Sequence, residues 1–154
     1  MLFLLFQIGN DRYALEAQQA VEVLPLVELK RVPQAPRGVA GLFNYRGRPV
    51  PAIDLSELTA SRPARELLST RIILVPHTDE AGRVQLIGLI AERATELLRR
   101  DQKELVPPAP PTSGYLGPVL MDEKGLVQLI QPQRLLTGEI LRLTGLLEHA
   151  GPRA

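Results

Sequence analysis

Residues 37–55 restrict the possible folds of this chain more than any other stretch. Val39, Gly41, Phe43 and Tyr45 alternate with Ala40, Leu42, Asn44 and Arg46, a period of two that belongs to a strand and not to a helix. The alternation breaks at Arg46-Gly47-Arg48, where Gly47 can take a positive φ without steric cost. It resumes at Val50, Ala52 and Ile53, so the segment reads as a β-hairpin. Pro49 and Pro51 have no N–H to give a ladder. The return strand is therefore either an edge or one whose proline nitrogens point away from its partner. Asp54 and Glu57 stand at the spacing of a capping box, which predicts a short helix after Asp54. The stretch holds no catalytic constellation; it is a rigid hairpin that presents an Asn and an Arg at one end.

The rest of the chain agrees with a fold of short strands. Fourteen prolines and twelve glycines in 154 residues favour many short elements joined by turns. That length suits one domain or two small ones packed together. Hydrophobic residues make up 45% and aromatic residues 4%, so the core is expected to be sizeable and aliphatic. A formal charge of +1 gives no drive toward nucleic acid or an anionic membrane. The absence of cysteine excludes a disulfide framework and a thiolate zinc site, and it fits the cytoplasm. The apolar run at 1–6 is too short to span a bilayer and lacks the build of a signal peptide.

In chain order, residues 2–8 read as a strand, Gly9-Asn10-Asp11 as a turn, and 12–15 as the returning strand. Residues 20–27 alternate as a third strand, with Val21 and Val23 on one face and Glu22 and Leu24 on the other. Residues 28–38 form a connector marked by Pro33, Pro36 and Gly38. After the hairpin, 61–65 is polar and proline-bearing, the first candidate for a mobile loop. A buried strand is expected at 70–75, a polar hairpin loop at 76–83, and a return strand at 84–90. Residues 92–99 read as helix by composition, because Ala, Glu, Leu and Arg are good helix formers. The proline-rich 106–114 stretch is an extended connector. Residues 115–121 and 125–130 form a last hairpin, followed by a helical turn with Pro132 at its first position. Apolar residues at 140, 141, 143, 146 and 147 suit one face of a terminal helix.

Reactive groups are sparse. His77 lies beside Thr78, Asp79 and Glu80 without a second histidine or a cysteine to complete a metal site, and His149 lies near the end of the sequence. Ser56 and Thr70 have no adjacent base. There is no phosphate-cradling glycine loop. No catalysis, metal or cofactor is expected. The basic pairs Lys30-Arg31, Arg46/Arg48 and Arg99-Arg100 leave open a small β-barrel that binds nucleic acid. That mode needs stacking aromatics among the charges, and only Tyr45 neighbours a pair.

The hairpin also carries a resemblance. Gly41, Asn44, Arg46, Gly47, Pro51, Asp54 and Leu55 resemble the signature segment of the CheW-like domains. Residues 3–9 and 13–15 are similar to the family's opening hairpin, 20–23 to its next strand and 32–36 to the proline-bearing approach. The resemblance covers about residues 2–140. It implies an all-β fold with short helices: two small SH3-like β-barrel subdomains packed together over 1–140, with a C-terminal helix or tail at 141–154. It places a strand, not a helix, at 92–99. It implies a cytoplasmic, non-enzymatic adaptor that couples the helical hairpin of a methyl-accepting chemoreceptor to the regulatory domain of a CheA-type histidine kinase. On this reading, Glu22, Gly41, Asn44 and Arg46 belong to the receptor-facing side, and Gly47, Pro51 and Asp54 hold the hairpin's structure. Arg46 then either braces backbone carbonyls or contacts the partner. Gly41 either admits a closely approaching backbone or partner or marks a simple bulge. Val23 is either core or part of a kinase-facing apolar patch. Three residues depart from the family's pattern: Ala20 stands for a larger aliphatic residue, Tyr45 for an aliphatic one, and Gln131 for an acid.

Overall fold

The computed structural model describes residues 1–78, 81–107 and 114–135. Nine strands carry the fold: β1 (Leu2–Ile8), β2 (Asp11–Glu16), β3 (Glu22–Pro25), β4 (Val39–Tyr45), β5 (Arg48–Asp54), β6 (Arg71–Thr78), β7 (Val84–Arg99), β8 (Leu116–Asp122) and β9 (Gly125–Ile130). One short helix, α1 (Leu55–Ala60), follows β5, and single 3-10 turns occur at Ala17–Gln19, Gln102–Glu104 and Pro132–Arg134.

β7 joins the two halves. Its first half pairs antiparallel with β6, and Gly88 to Ile90 pair in parallel with β5. Its second half pairs antiparallel with β1, from Leu2 opposite Arg99 to Gln7 opposite Glu92. The passage between halves is marked by a register shift between Leu5 and Gln7 and by Arg93, whose φ of 51° bends the strand. One subdomain holds β1, β2, β8, β9 and the end of β7. The other holds β3, β4, β5, β6 and the start of β7.

The apolar side chains sort into three clusters that match this division. Phe3, Leu5, Ala14, Leu120, Val127 and Leu129 fill the first subdomain. Phe43, Val50, Ala52, Ile72, Leu74 and Ile90 fill the second. The third lies between them: Leu4, Phe6 and Leu15 from one sheet meet Ile53, Ile73, Val75 and Leu89 from the other. Alternation along each strand explains the sorting. Leu4 and Phe6 face the shared core while Phe3 and Leu5 face the barrel interior. The all-β fold of two packed subdomains is thus present.

Several local expectations are corrected. Residues 92–99 are strand, as the resemblance implies and composition alone does not, because differences in helix propensity amount to a few tenths of a kcal/mol per residue. A ladder to β1 and burial of Ala94 outweigh them. Pro76 and His77 belong to β6, which runs to Thr78, and not to the loop that follows. β5 is not a plain edge, since Ala52 to Asp54 pair with β7. The alternative for its prolines holds. Tyr45 opposite Arg48 closes a two-residue turn, so Asn44–Pro49 and Leu42–Pro51 fall at the positions that exchange no bonds. Both proline nitrogens therefore face away from β4. The terminal helix at 140–148, the 140/141 boundary and His149 lie outside the described residues.

The 61–65 loop, expected to be mobile from its polarity, is tied down at its C-terminal end. Asp54 and Glu92 accept the backbone N–H groups of the consecutive residues Ala64 and Arg65, each at 2.8 Å. Thr70 Oγ1 donates to the Arg65 carbonyl.

Candidate functional site

The tip of the β4–β5 hairpin is built by its turn. Arg46 and Gly47 both have positive φ, 51° and 84°, as a type I′ turn requires. Glycine takes this conformation freely; arginine does so at some cost. Asn44 offsets that cost, because its Oδ1 accepts the Gly47 N–H at 2.8 Å and ties the turn across its mouth. The turn therefore displays Arg46 in one direction.

Arg46 does not brace carbonyls. One terminal nitrogen of its guanidinium lies 3.3 Å from Oε1 of Glu22, on β3. Its Cζ sits 5.2 Å from the centre of the Tyr45 ring. Tyr45 itself packs against the interior of the second subdomain, so this residue provides a fixed shelf for the cation. The Arg46 side chain is 75% exposed and that of Glu22 is 35% exposed. β3 pairs with β6 and β4 with β5, so the ion pair crosses a seam between two strands that share no ladder. It is a charged, half-wet feature on a firm support.

The remaining residues of the signature lie inside. Gly41 is buried at a bulge, with φ 153°, and a Cβ there would fall far inside contact distance of the Lys30 carbonyl oxygen. Lys30 and Leu42 exchange backbone hydrogen bonds at 2.8 Å, which is why that carbonyl comes so close. Both readings of Gly41 are thus met, and its position is internal. Pro51 is buried in β5. Val23 is half-buried and packs against the shared core. The structure brings together Glu22, Asn44, Arg46 and Gly47. It keeps Gly41, Pro51, Asp54 and Val23 apart from them.

Asp54 is the base of the hairpin. Its Oδ1 accepts the N–H groups of Ser56 (2.9 Å) and Glu57 (3.2 Å), capping α1, while Oδ2 holds Ala64. Burial pushes its carboxyl above the ordinary range, against the pull of these three donors. The capping box expected with Glu57 is only half formed. Asp54's own N–H donates to the Gly38 carbonyl at 2.7 Å and leaves Glu57 nothing to accept. The complete reciprocal box is at Asp101 and Glu104, where the same Asp-x-x-Glu spacing was open to reading.

Two further ionic contacts were missed from sequence. Glu92 is buried at the bulge of β7, and burial raises its carboxyl, but the Arg65 backbone N–H and guanidinium outweigh this and hold it below its ordinary range. Arg12 grips Asp122 with two bonds, at 2.6 and 2.5 Å, joining the first and last hairpins. That pairing, with burial opposing, lowers the Asp122 carboxyl to about 2. His77 meets the side chain of Gln133, at 3.2 Å. Among the described residues no group of three or more His, Asp or Glu could hold a metal ion.

The CheW-like domain model matches residues 2–139. The chain belongs to the CheW-like family. It is 32% identical over 148 residues to the chemotaxis protein CheW of Helicobacter pylori, covering 95% of this chain and 81% of that one. It is 24% identical to the chemotaxis protein CheW of Klebsiella aerogenes, covering 92% and 84%. In three dimensions it is similar to the crystal structure of the scaffolding protein TtCheW from Thermoanaerobacter tengcongensis, with a TM-score of 0.78 at 23% identity over 90% of this chain and 89% of that one. The last likeness concerns the fold. Among the described residues no helix is long and apolar enough to cross a membrane.

Proposed function

We propose that this CheW-like chain is a non-enzymatic chemotaxis adaptor. In the cytoplasm it couples the helical hairpin of a methyl-accepting chemoreceptor to the regulatory domain of a CheA-type histidine kinase. The observation that carries this reading is the hairpin tip. There, Glu22 and Arg46 lie at 3.3 Å on a turn pre-organised by Asn44, with the arginine mostly in solvent. A fixed turn loses little conformational freedom on binding, and a guanidinium offers a planar fork of donors to a carboxylate or to helix-end carbonyls. Gly41 acts at one remove by letting the Lys30 backbone close against the hairpin. The mechanism is geometric: a receptor on the tip and a kinase on another surface are held in one assembly, so a shift in one biases the other.

The test is reconstitution with the receptor and kinase encoded alongside this chain. Wild type is expected to co-sediment with both. Arg46→Glu is expected to lose the receptor and keep the kinase. Retention of both partners by a folded Arg46→Glu protein refutes the receptor-facing role of the tip. A gel shift with single-stranded DNA in place of receptor binding would favour the nucleic-acid alternative.

A further inference from the structure

A cleft of about 840 Å³ opens at the base of the hairpin, between the connector after β3 and the 63–66 loop. Its volume falls within the range of ligand sites. Leu26, Leu29, Val39 and Ile90 give it an aliphatic floor, and Val27, 40% exposed, stands on its wall. No aromatic side chain lines it, so it offers no platform on which a nucleotide or other flat ring could stack. Its charge contrasts with that of the whole molecule. The chain carries +1, whereas the cleft sets Asp54, Glu28, Glu57 and Glu66 against the single guanidinium of Arg31. Asp54 has its own donors, but Glu28, Glu57 and Glu66 make no ion pair among the described residues. Arg37, which passes nearby, is turned to the end of α1, where it donates to Ser61 Oγ at 2.6 Å.

An aliphatic floor rimmed by unpaired carboxylates suits one chemistry. We propose that this cleft is a second docking site, separate from the hairpin tip, for a partner segment that carries aliphatic side chains flanked by Lys or Arg. The aliphatic side chains lie on Leu26, Val27 and Leu29, and the cations meet Glu28, Glu57 and Glu66. Val39 and Tyr45 are the two ends of β4. At about 3.3 Å per residue the cleft and the tip lie about 20 Å apart, so one chain can hold both partners at once. The proposal does not depend on the adaptor reading.

The full chain, labelled with nitrogen-15, is titrated with a synthetic amphipathic peptide of Lys and Leu and with its Glu/Leu counterpart. Amide shifts are expected at residues 26–40, 63–66 and 90, with at least tenfold weaker binding of the Glu/Leu peptide. Glu28→Lys/Glu66→Lys is expected to weaken the Lys/Leu peptide at least tenfold. Val27→Asp, which leaves the acidic charge in place, is expected to weaken it several-fold. Arg46→Glu should leave the affinity within twofold. The proposal fails if the shifts centre elsewhere, if both peptides bind alike, or if both cleft variants keep wild-type affinity while their spectra show the native fold. The same amides shifting with protein concentration alone would assign the cleft to a second copy of the chain and overturn it. Equal affinity for a simple aliphatic amine would do so too.

Discussion

On the proposed receptor-facing reading of the tip, replacing Arg46 is expected to separate recognition from stability. Its ion pair with Glu22 spans 3.3 Å, but the two side chains are 75% and 35% exposed. Exposed pairs of this kind are worth about 0.2–1 kcal/mol. The contact with the half-buried Tyr45 ring adds about 0.5–1 kcal/mol. Arg46→Ala is thus expected to cost less than about 2 kcal/mol. For a domain of this size that is a fall in Tm of about 4–8 °C at the upper limit, and about 2 °C if the ion pair alone matters. Receptor binding, in contrast, is expected to be lost. A double-mutant cycle with Glu22→Ala, read by urea unfolding, should give a coupling of no more than about 1 kcal/mol. Exchanging the two charges, Glu22→Arg with Arg46→Glu, restores an internal pair and should restore the melt. It should not restore receptor binding, because the partner then meets the wrong sign. A receptor-facing role for the pair is refuted if the exchanged protein binds receptor as wild type does, since the pair would then act only as an internal strut. The small stability cost of Arg46→Ala is refuted if that variant lowers Tm by 15 °C or more.

Gly41→Ala should destabilise the fold by about 2–5 kcal/mol, from strain at positive φ and from the forced shift of the Lys30 backbone; a melt within 2 °C of wild type would show that the bulge yields freely. Asp122→Asn should lower stability at pH 7 by about 1–2 kcal/mol. The upper bound follows from a carboxyl held at about 2 against 3.8 at 1.4 kcal/mol per pH unit, trimmed because the asparagine still offers Arg12 one acceptor oxygen. A depressed carboxyl stabilises above its unfolded value and loses that contribution as pH falls through its folded one. The gap in urea midpoint between Asp122→Asn and wild type should therefore be full above pH 5 and shrink from pH 4 toward 2. A gap constant over that range would mean that Arg12 does not set the Asp122 carboxyl.

The parts of this fold that were legible share one property: their cause is local. The β4–β5 hairpin follows from a period of two and from the positive φ that Gly47 accepts, both contained within a few residues. The opening and closing hairpins follow in the same way from Gly9-Asn10-Asp11 and Asp122-Glu123-Lys124-Gly125. What escaped was decided at a distance. The 92–99 segment is helical by composition, and only the resemblance places a strand there; its cause is β1, nearly ninety residues earlier, which offers it a ladder. The 61–65 loop looks free, since nothing in its own sequence shows that two buried carboxylates on β5 and β7 accept its N–H groups. Glu92 stands in a segment whose composition alone gives no sign that its carboxylate will be buried. At the candidate site, Asn44 and Gly47 could be placed from turn chemistry, but the Arg46–Glu22 contact could not. It crosses a seam between strands paired to different neighbours.

That seam explains how one small domain can be both rigid and adaptable. At its base the hairpin is fixed three times over: by the ladder of Ala52 to Asp54 with β7, by Asp54 N–H on the Gly38 carbonyl, and by the Lys30–Leu42 pair of bonds that Gly41 makes room for. These contacts are buried, and removing one leaves a polar group without a partner or a backbone out of place. At its tip only the Asn44–Gly47 bond and an exposed ion pair act, and both remain within reach of water. Stability thus resides in groups that a partner cannot touch, and charge is displayed by groups the fold can spare. On the proposed receptor-facing reading of the tip, substitutions at 22 and 46 are expected to change recognition without unfolding the protein, whereas a change at 41 or 54 alters the frame of the hairpin itself.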